Sequence, residues 1–369
     1  MKIFTLIVLL IIMGCSDTKK EKNKPYDAGF KTIHYVDRAR IYKPGTDTSD
    51  YLHYRPIDLD IWYPSYHSAT DTQLLVRDLL GLLETRANYY SASNVGNGVT
   101  AQLAHFFCET FKCSDSTSLL NFKTNSFKNA TAVTGKFQLI IYMTAFNGMS
   151  YENFSLFEAL AKKGFIVVSV SSIGRFPGDM TTKREDLIEQ VADAIATFNI
   201  VKENSNIDFS RIGIVGYSWG GLSGAILASK IPDVKCLVSL EGSEFHHYGN
   251  EDRDFDSIKN SEDFKKIKLS IPYLRLESAP SIQPGKKDSV YNFSLNHVNN
   301  AQIFIIDSMQ HEDFYCFSRV VRESGNCPIN QRYNSALKLT AGFLGDNLKN
   351  ENNFSATVED QINKTIRKK

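Results

Sequence analysis

The chain has 369 residues, of which 42% are hydrophobic and 12% aromatic, enough to bury a large core. Its formal net charge of +1 gives no reason to expect a nucleic-acid partner or the long-range capture of acidic ligands. No Cys-x-x-Cys pair or His–Cys cluster suggests a zinc site, so neither a metal nor another cofactor is predicted.

The first residues are typical of a targeting segment that is removed from the mature protein. Lys2 supplies a positive charge, and Ile3–Met13 is an apolar run too short to span a membrane as a permanent helix. Cys15 ends the sequence IMGC, which is similar to a bacterial lipobox. We therefore predict a lipoprotein signal peptide over residues 1–14, acylation of Cys15, and export to a bacterial membrane, facing the periplasm or the cell surface. The alternative is a plain secretory signal. Residues 15–28 are polar and predict a flexible tether.

An exported protein would meet an oxidising compartment, in which its other cysteines could form disulfides. Cys108 and Cys113 lie close in sequence, as do Cys316 and Cys327, so two local disulfides can form, and the sequence leaves their pairing open. Cys236 lies in an apolar run and is predicted to be a buried free thiol.

Two strands and two helices are predicted in the first third of the chain. Phe30–Ile41 predicts an edge strand, and Arg55–Pro64 predicts a strand in which apolar residues alternate with aspartates. Apolar residues at helical spacing predict helices over Leu74–Ala92 and Val99–Phe111. These helices form an insertion, about residues 74–111, that could build the wall or lid of a cleft.

Strands alternate with helices from residue 137 onward, which predicts an α/β fold with a mostly parallel sheet and helices on both faces. The predicted strands after the insertion are Phe137–Tyr142, Phe165–Val170, the run ending at Val215, Lys235–Leu240, Tyr273–Leu276 and Gln302–Ile306. The predicted helices are Tyr151–Lys163, Arg184–Ile200 and Ser335–Asn347. We expect one domain over residues 29–347, with a loop insertion at about 243–270 and a polar tail over 348–369.

The stretch RIGIVGYSWGGLSGA, residues 211–225, combines a short apolar strand, a G-x-S-x-G turn and a helix. This context predicts a nucleophile elbow, with Ser218 raised above the edge of the sheet. Glycines at 216 and 220 suit a turn too tight for side chains. The Trp219 amide lies at a helix N-terminus, where it can face a developing oxyanion.

A serine hydroxyl needs a base, and the base needs an orienting carboxylate. His311 is the best candidate base, because it lies in a loop directly after the last apolar strand. His246, His247 and His297 are less well placed by the predicted strands. For the acid, Glu241 and Glu277 each follow a strand and emerge at the carboxyl edge of the sheet. Position in the predicted sheet does not separate these two glutamates.

Several motifs resemble the platelet-activating-factor acetylhydrolase branch of the α/β-hydrolases, including its bacterial lipoprotein relatives. They are RPIDLDIWYPS, GFIVVSV, RIGIVGYSWGG, CLVSLEG and QHEDF, within about residues 29–347. The resemblance implies an α/β-hydrolase fold and places the acid at Glu241. The branch usually has aspartate there, so Glu277 remains an alternative. The resemblance also implies a second oxyanion amide near Phe146, although the His-Gly usual in that loop is absent. Dienelactone hydrolase-like relatives usually carry cysteine where this chain has Ser218.

These features predict a serine carboxylic ester hydrolase that works through an acyl-enzyme. The resemblance implies short acyl groups such as acetyl, on a small-molecule or lipid ester. The alternatives are a non-catalytic, lipid-anchored binding protein on the same fold and a serine peptidase of the same superfamily. We expect a monomer whose contact with a membrane is made through the anchor.

Overall fold

The computed structural model describes residues 25–89, 98–113, 115–245, 253–278, 291–322, 328–362 and 364–369. The predicted signal peptide, the predicted acylation site and three other residues discussed above lie outside these ranges: residues 1–14, Cys15, His246, His247 and Cys327. No helix in the ranges described is long and apolar enough to span a membrane.

The described residues form one twelve-stranded sheet in the order β12-β11-β10-β9-β8-β6-β7-β2-β1-β4-β3, with β5 beside β2. The strands are β1 (Asp27–Ile41), β2 (Tyr54–Tyr66), β3 (Gln73–Leu75), β4 (Lys123–Lys128), β5 (Thr131–Ala132), β6 (Phe137–Met143), β7 (Phe165–Val170), β8 (Ile207–Tyr217), β9 (Val234–Leu240), β10 (Tyr273–Ser278), β11 (Ala301–Ile306) and β12 (Ile366–Lys368). The helices are α1 (Val76–Tyr89), α2 (Val99–Phe111), α3 (Ser116–Leu120), α4 (Phe154–Lys162), α5 (Arg184–Val201), α6 (Trp219–Lys230), α7 (Arg253–Asn260), α8 (Glu262–Lys265), α9 (Phe293–His297), α10 (Cys316–Arg322), α11 (Pro328–Lys349) and α12 (Phe354–Gln361).

Strands β6 to β11 pair in parallel, as the alternation of strands and helices predicts. Their sequences are nearly continuous apolar runs, because both faces of a parallel sheet are covered by helices. Side chains of β6 alternate between the two faces: Ile140 and Tyr142 join one core, while Leu139 and Ile141 join the other. Helices α4 and α11 contribute to the first core, and α5 and α6 to the second. The carboxyl ends of the parallel strands therefore meet at one edge of the sheet.

The two ends of the described sheet differ in how far they match the expectations. Strand β1 lies between β2 and β4 only over Ala28–Phe30, which pairs with β4; beyond Phe30 it pairs with β2 alone among the described strands, as expected of an edge strand. The segment expected as a polar tail forms α12 and then β12, which pairs antiparallel with β11. Phe354 and Ile366 are buried, and these two apolar residues hold an otherwise polar segment against the core.

The structure answers the disulfide pairing that the sequence leaves open. Cys108 and Cys113 form a disulfide at the end of α2, and Cys236 is a buried free thiol, as predicted. Cys316 is also a buried free thiol, so the second possible disulfide is not formed. Its Sγ lies 3.2 Å from the carbonyl oxygen of Glu152, inside the core.

Candidate active site

Ser218 stands alone between the end of β8 and the start of α6, in a backbone conformation that a side chain rarely adopts. Its φ is 52° and its ψ is −120°. Such strain persists only where the surroundings fix the backbone. Here the Ser218 amide donates to the carbonyl of Leu240 at 3.1 Å, and its carbonyl accepts from the amides of Gly221 and Ser243 at 2.9 and 2.8 Å. The turn has the strained strand-to-helix geometry that the sequence predicts for a nucleophile elbow.

The glycines of the elbow are required by close backbone contacts. A Cβ at Gly216 would overlap the carbonyl oxygen of Gly220, and a Cβ at Gly220 would overlap the carbonyl oxygen of Met143 at the end of β6. The prediction that only glycine fits these two positions is confirmed. The elbow is thereby packed directly against the start of the loop that follows β6.

The structure brings Ser218, His311 and Glu241 together, although they are far apart in the chain. His311 Nε2 lies 2.9 Å from Ser218 Oγ, and His311 Nδ1 lies 3.1 Å from Glu241 Oε2. With Nδ1 protonated, the ring donates to the carboxylate, and Nε2 can accept the proton of the serine hydroxyl. This is the relay that makes a serine nucleophilic.

The His311 ring packs against Tyr217, the residue that precedes Ser218. The Tyr217 ring stacks against it with centroids 5.2 Å apart, and the Tyr217 hydroxyl donates to the His311 carbonyl at 3.0 Å. His311 also begins a short 3-10 turn, in which the Gln310 amide donates to Asp313 at 2.9 Å. The backbone carrying the imidazole is thus fixed on both sides.

The Glu241 carboxyl is arranged to stay ionised. Its Oε1 accepts hydrogen bonds from the hydroxyl and the amide of Ser278. Burial alone would raise the pKa of Glu241, but the hydrogen bonds of His311 and Ser278 and the positive charge of Arg275 outweigh it and lower that pKa. A carboxylate in this state can hold the imidazole in one tautomer.

Glu277, the alternative acid, is paired with two cations, while His311 Nδ1 is paired with Glu241. Its carboxylate accepts from Arg275 Nε at 2.6 Å and from Lys369 Nζ at 2.8 Å. Burial would raise the pKa of Glu277, but the charges of Arg275 and Lys369 lower it on balance. The alternative that the sequence leaves open is therefore not met by the geometry: Glu277 belongs to an ion-pair network that reaches the C-terminal strand.

The two predicted oxyanion donors lie on adjoining segments. The Trp219 amide is the first of α6, and amides in the first turn of a helix have no acceptor within the helix. The Phe146 ring meets the Trp219 ring edge to face, with centroids 6.0 Å apart. Of the neighbouring amides in the loop after β6, that of Ala145 is already donated to Glu152 Oε1 at 2.9 Å. The Phe146 amide has no hydrogen-bond acceptor among the residues described.

Glu152 is a residue of the site that the sequence did not single out. Its Oε1 accepts from the Ala145 amide and, at 3.0 Å, from the hydroxyl of Tyr142, while its Oε2 has no partner in the described part of the chain. Burial raises its pKa from 4.5 to about 8. The signal available in the sequence was a single charged residue in the otherwise uncharged stretch over residues 137–153. A neutral Glu152 holds the loop that carries Phe146.

His297 is excluded as a base by its position. It is buried, its Nε2 lies 2.7 Å from the Tyr291 hydroxyl, and its Nδ1 lies 2.9 Å from the carbonyl of Ile267. Across the described ranges, no group of three or more His, Cys, Asp or Glu side chains could hold a metal ion.

The raised pKa of Glu152 predicts a pH-dependent stability. The folded protein keeps a proton that the unfolded chain releases above about pH 4.5, so this contribution is complete at lower pH and is lost as the pH rises towards about 8. Glu152→Gln imitates the protonated carboxyl. We expect its free energy of unfolding, measured with urea, to fall less between about pH 5 and pH 8 than that of the wild type. Glu262→Gln, at an exposed surface pair with Lys266, is the control and should follow the wild type. Parallel curves for Glu152→Gln and the wild type would contradict the prediction.

Comparisons with known proteins agree with this architecture. A family model described as the alpha/beta hydrolase fold matches residues 138–261, from β6 through the elbow to α7. Among solved structures, the chain is similar to a ferulic acid esterase from Streptomyces cinnamoneus, with a TM-score of 0.60, 18% sequence identity, and coverage of 89% of this chain and 92% of that chain. A search of curated proteins finds no match. At such low identity the likeness concerns the fold and not the substrate. The predicted fold class is confirmed, and the chain has the α/β-hydrolase fold.

Proposed function

We propose that this protein is a serine carboxylic ester hydrolase that works through an acyl-enzyme intermediate. The observation that carries the proposal is the continuous relay from Ser218 through His311 to Glu241, with heavy-atom distances of 2.9 and 3.1 Å. The order serine, acid, histidine along the chain is the one that α/β-hydrolases use. A protein that used this fold only for binding would have no need of a strained serine aligned with a base and an acid.

Each residue of the relay has one role in the proposed reaction. Ser218 Oγ attacks the ester carbonyl while His311 takes its proton. His311 then gives that proton to the departing alcohol, and Glu241 stabilises the imidazolium that exists between the two steps. Water, deprotonated by His311, attacks the acyl-enzyme and releases the acid. The proton returns to Ser218, so the protein ends each cycle unchanged.

The amides of Trp219 and Phe146 are proposed to receive the negative charge of the tetrahedral intermediates. Both are backbone donors on fixed segments, so they need little rearrangement when the charge develops. Glu152 supports this arrangement, because it occupies the Ala145 amide and so fixes the loop that presents the next amide. The direct packing of the elbow against the end of β6 brings the segments that carry these two proposed donors together.

Two lines of support bear on the class of substrate. The resemblance to the acetylhydrolase branch implies short acyl groups, on small-molecule or lipid esters. The structural neighbour is named a ferulic acid esterase, which also supports an ester rather than a peptide. We therefore propose acetyl esters as the first substrates to test.

Replacing the nucleophile tests the proposal. In Ser218→Ala the attacking oxygen is absent, and we expect kcat on p-nitrophenyl acetate to fall by about 10⁴- to 10⁶-fold. Ser229→Ala in the same helix, whose hydroxyl only donates to the Ile226 carbonyl, is the control and should retain wild-type turnover. Full turnover in Ser218→Ala would show that another group reacts. Wild-type protein inactive on a broad panel of esters would favour the binding-protein alternative.

The two candidate acids can be separated by matched amide variants. Glu241→Gln keeps the size of the side chain but cannot enforce the required imidazole tautomer, so we expect kcat to fall by roughly 10³- to 10⁴-fold. Glu277→Gln loses an ion pair with Arg275 and should reduce stability while keeping kcat within a few-fold. Measuring kcat and the free energy of unfolding in urea for both variants shows which glutamate is the acid. A larger loss of kcat in Glu277→Gln than in Glu241→Gln would refute the assignment of the acid.

We also propose that Cys15 carries a lipid anchor; the support for this is the lipobox-like sequence that ends at Cys15. Full-length protein expressed in bacteria should incorporate a labelled palmitate and partition into detergent. Cys15→Ser should abolish both properties. Equal labelling of the two proteins would place the lipid elsewhere or exclude the anchor.

A further inference from the structure

An apolar cavity of about 440 Å³ lies at the carboxyl edge of the sheet, beside the ends of β7 and the start of β2. We call it the side cavity. Residues of α1, of the loop after β6 and of the loop after β7 line it, among them Leu83, Ala87, Met149, Val170, Ile173 and Pro177. Its volume is within the range of ordinary ligand pockets.

Several polar groups at the wall of the side cavity are paired with neighbouring protein groups, whereas the buried hydroxyl of Tyr151 has no hydrogen-bond partner in the described part of the chain. Arg86 Nη2 donates to Asp60 Oδ1 at 2.7 Å, and Arg86 Nη1 donates to the Ser150 hydroxyl at 3.0 Å. The Ser171 hydroxyl accepts from the Ser150 amide at 2.9 Å. Asp58 Oδ1 lies 2.6 Å from His34 Nδ1. A ligand in the cavity therefore meets mainly apolar side chains, together with the unpaired hydroxyl of Tyr151.

One loop connects the side cavity to the reacting serine. The loop after β6 passes Phe146, next to Trp219, and continues to Met149 and Tyr151, which line the cavity. In the sheet, β8 is followed by β6, β7 and β2. At roughly 5 Å between neighbouring strands, the cavity lies about 10–15 Å from the nucleophile along the edge of the sheet.

The wall formed by the loop after β7 is rigid. The fully buried Arg55 donates to the carbonyl of Gly174 at 2.5 Å and pairs with Asp193 of α5 at 2.6 Å. The backbone of Gly148 accepts from Ser172 at 2.8 Å and ties this loop to the loop after β6. The cavity is thus preformed, which reduces the entropic cost of binding.

We infer that the side cavity binds the acyl group of the ester and that this group can be apolar and considerably longer than acetyl. The inference rests on the proposed function. His311 must contact the departing oxygen, and the acid that orients it follows β9, on one side of β8. The side cavity lies on the other side of β8, beyond the loop that carries Phe146. With the alcohol next to His311, the acyl group extends towards the cavity.

A bulky substitution at an exposed position of α1 would narrow the side cavity and so test the inference. Ala87→Trp fills the space from α1 at a position open to solvent, so it should fold normally. Thr85→Trp, on the same helix but away from the cavity, is the matched control. We expect Ala87→Trp to lower kcat/KM for p-nitrophenyl octanoate by about tenfold or more while p-nitrophenyl acetate changes less than about twofold. Thr85→Trp should change neither. Equal effects of Ala87→Trp on both esters, or no effect on octanoate, would overturn the inference.

A binding measurement separates the cavity from the chemistry. Calorimetric titration with octanoate, the product acid, requires no turnover. We expect wild-type protein and Thr85→Trp to bind octanoate and Ala87→Trp to bind it at least about tenfold more weakly. This pattern would support the cavity even if neither ester were hydrolysed, a result that would refute only the proposed activity. Absence of octanoate binding to the wild type would overturn the assignment of the cavity even if acetate esters were hydrolysed.

Discussion

The close approach of the β8–α6 turn to the end of β6 is the constraint on which the site depends. Gly220 lies so near the carbonyl of Met143 that no side chain fits between them. This contact brings the helix N-terminus at Trp219 next to the loop that carries Phe146, and Ser218 is left in its strained conformation between them. The strain is maintained by hydrogen bonds of the Ser218 backbone to two other segments. One backbone contact thus sets the positions of both the proposed nucleophile and the two proposed oxyanion donors.

Three glutamates near the same edge of the sheet, two of them buried and Glu241 half-buried, have neighbours that give them different roles. Glu241 receives hydrogen bonds from His311 and Ser278, and its lowered pKa keeps it charged. Glu277 is also charged, but its carboxylate is paired with the guanidinium of Arg275. No cation among the described residues lowers the pKa of Glu152, and burial raises that pKa to about 8. The same side chain therefore orients a base, joins strands or fixes a loop according to what surrounds it.

Much of the fold and the site could be predicted because the signals are local. The apolar runs of the parallel strands and the turn around Ser218 are encoded in short stretches, and His311 follows from its place after the last apolar strand. The choice between Glu241 and Glu277 could not be made this way, because both follow a strand at the same edge. It depends on where each side chain points.

The partners of Glu277 explain why the sequence left the acid ambiguous. Arg275 precedes it by two residues on the same strand, while Lys369 comes from the segment expected as a polar tail. The missed strand β12 and the unresolved choice of acid thus have a common origin: a contact between distant segments that no local pattern records. Glu152 was missed for a related reason, since its importance comes from the Ala145 amide and not from its own neighbours in sequence.

Covalent labelling is the sharpest test of the proposal that the hydroxyl of Ser218 is the activated nucleophile. Purified protein would be treated with a fluorophosphonate, digested, and mapped by mass spectrometry. We expect one phosphonyl adduct, on the peptide that contains Ser218, formed much more slowly when His311 is replaced by alanine. No adduct, or an adduct on another side chain with Ser218 unmodified, would contradict it.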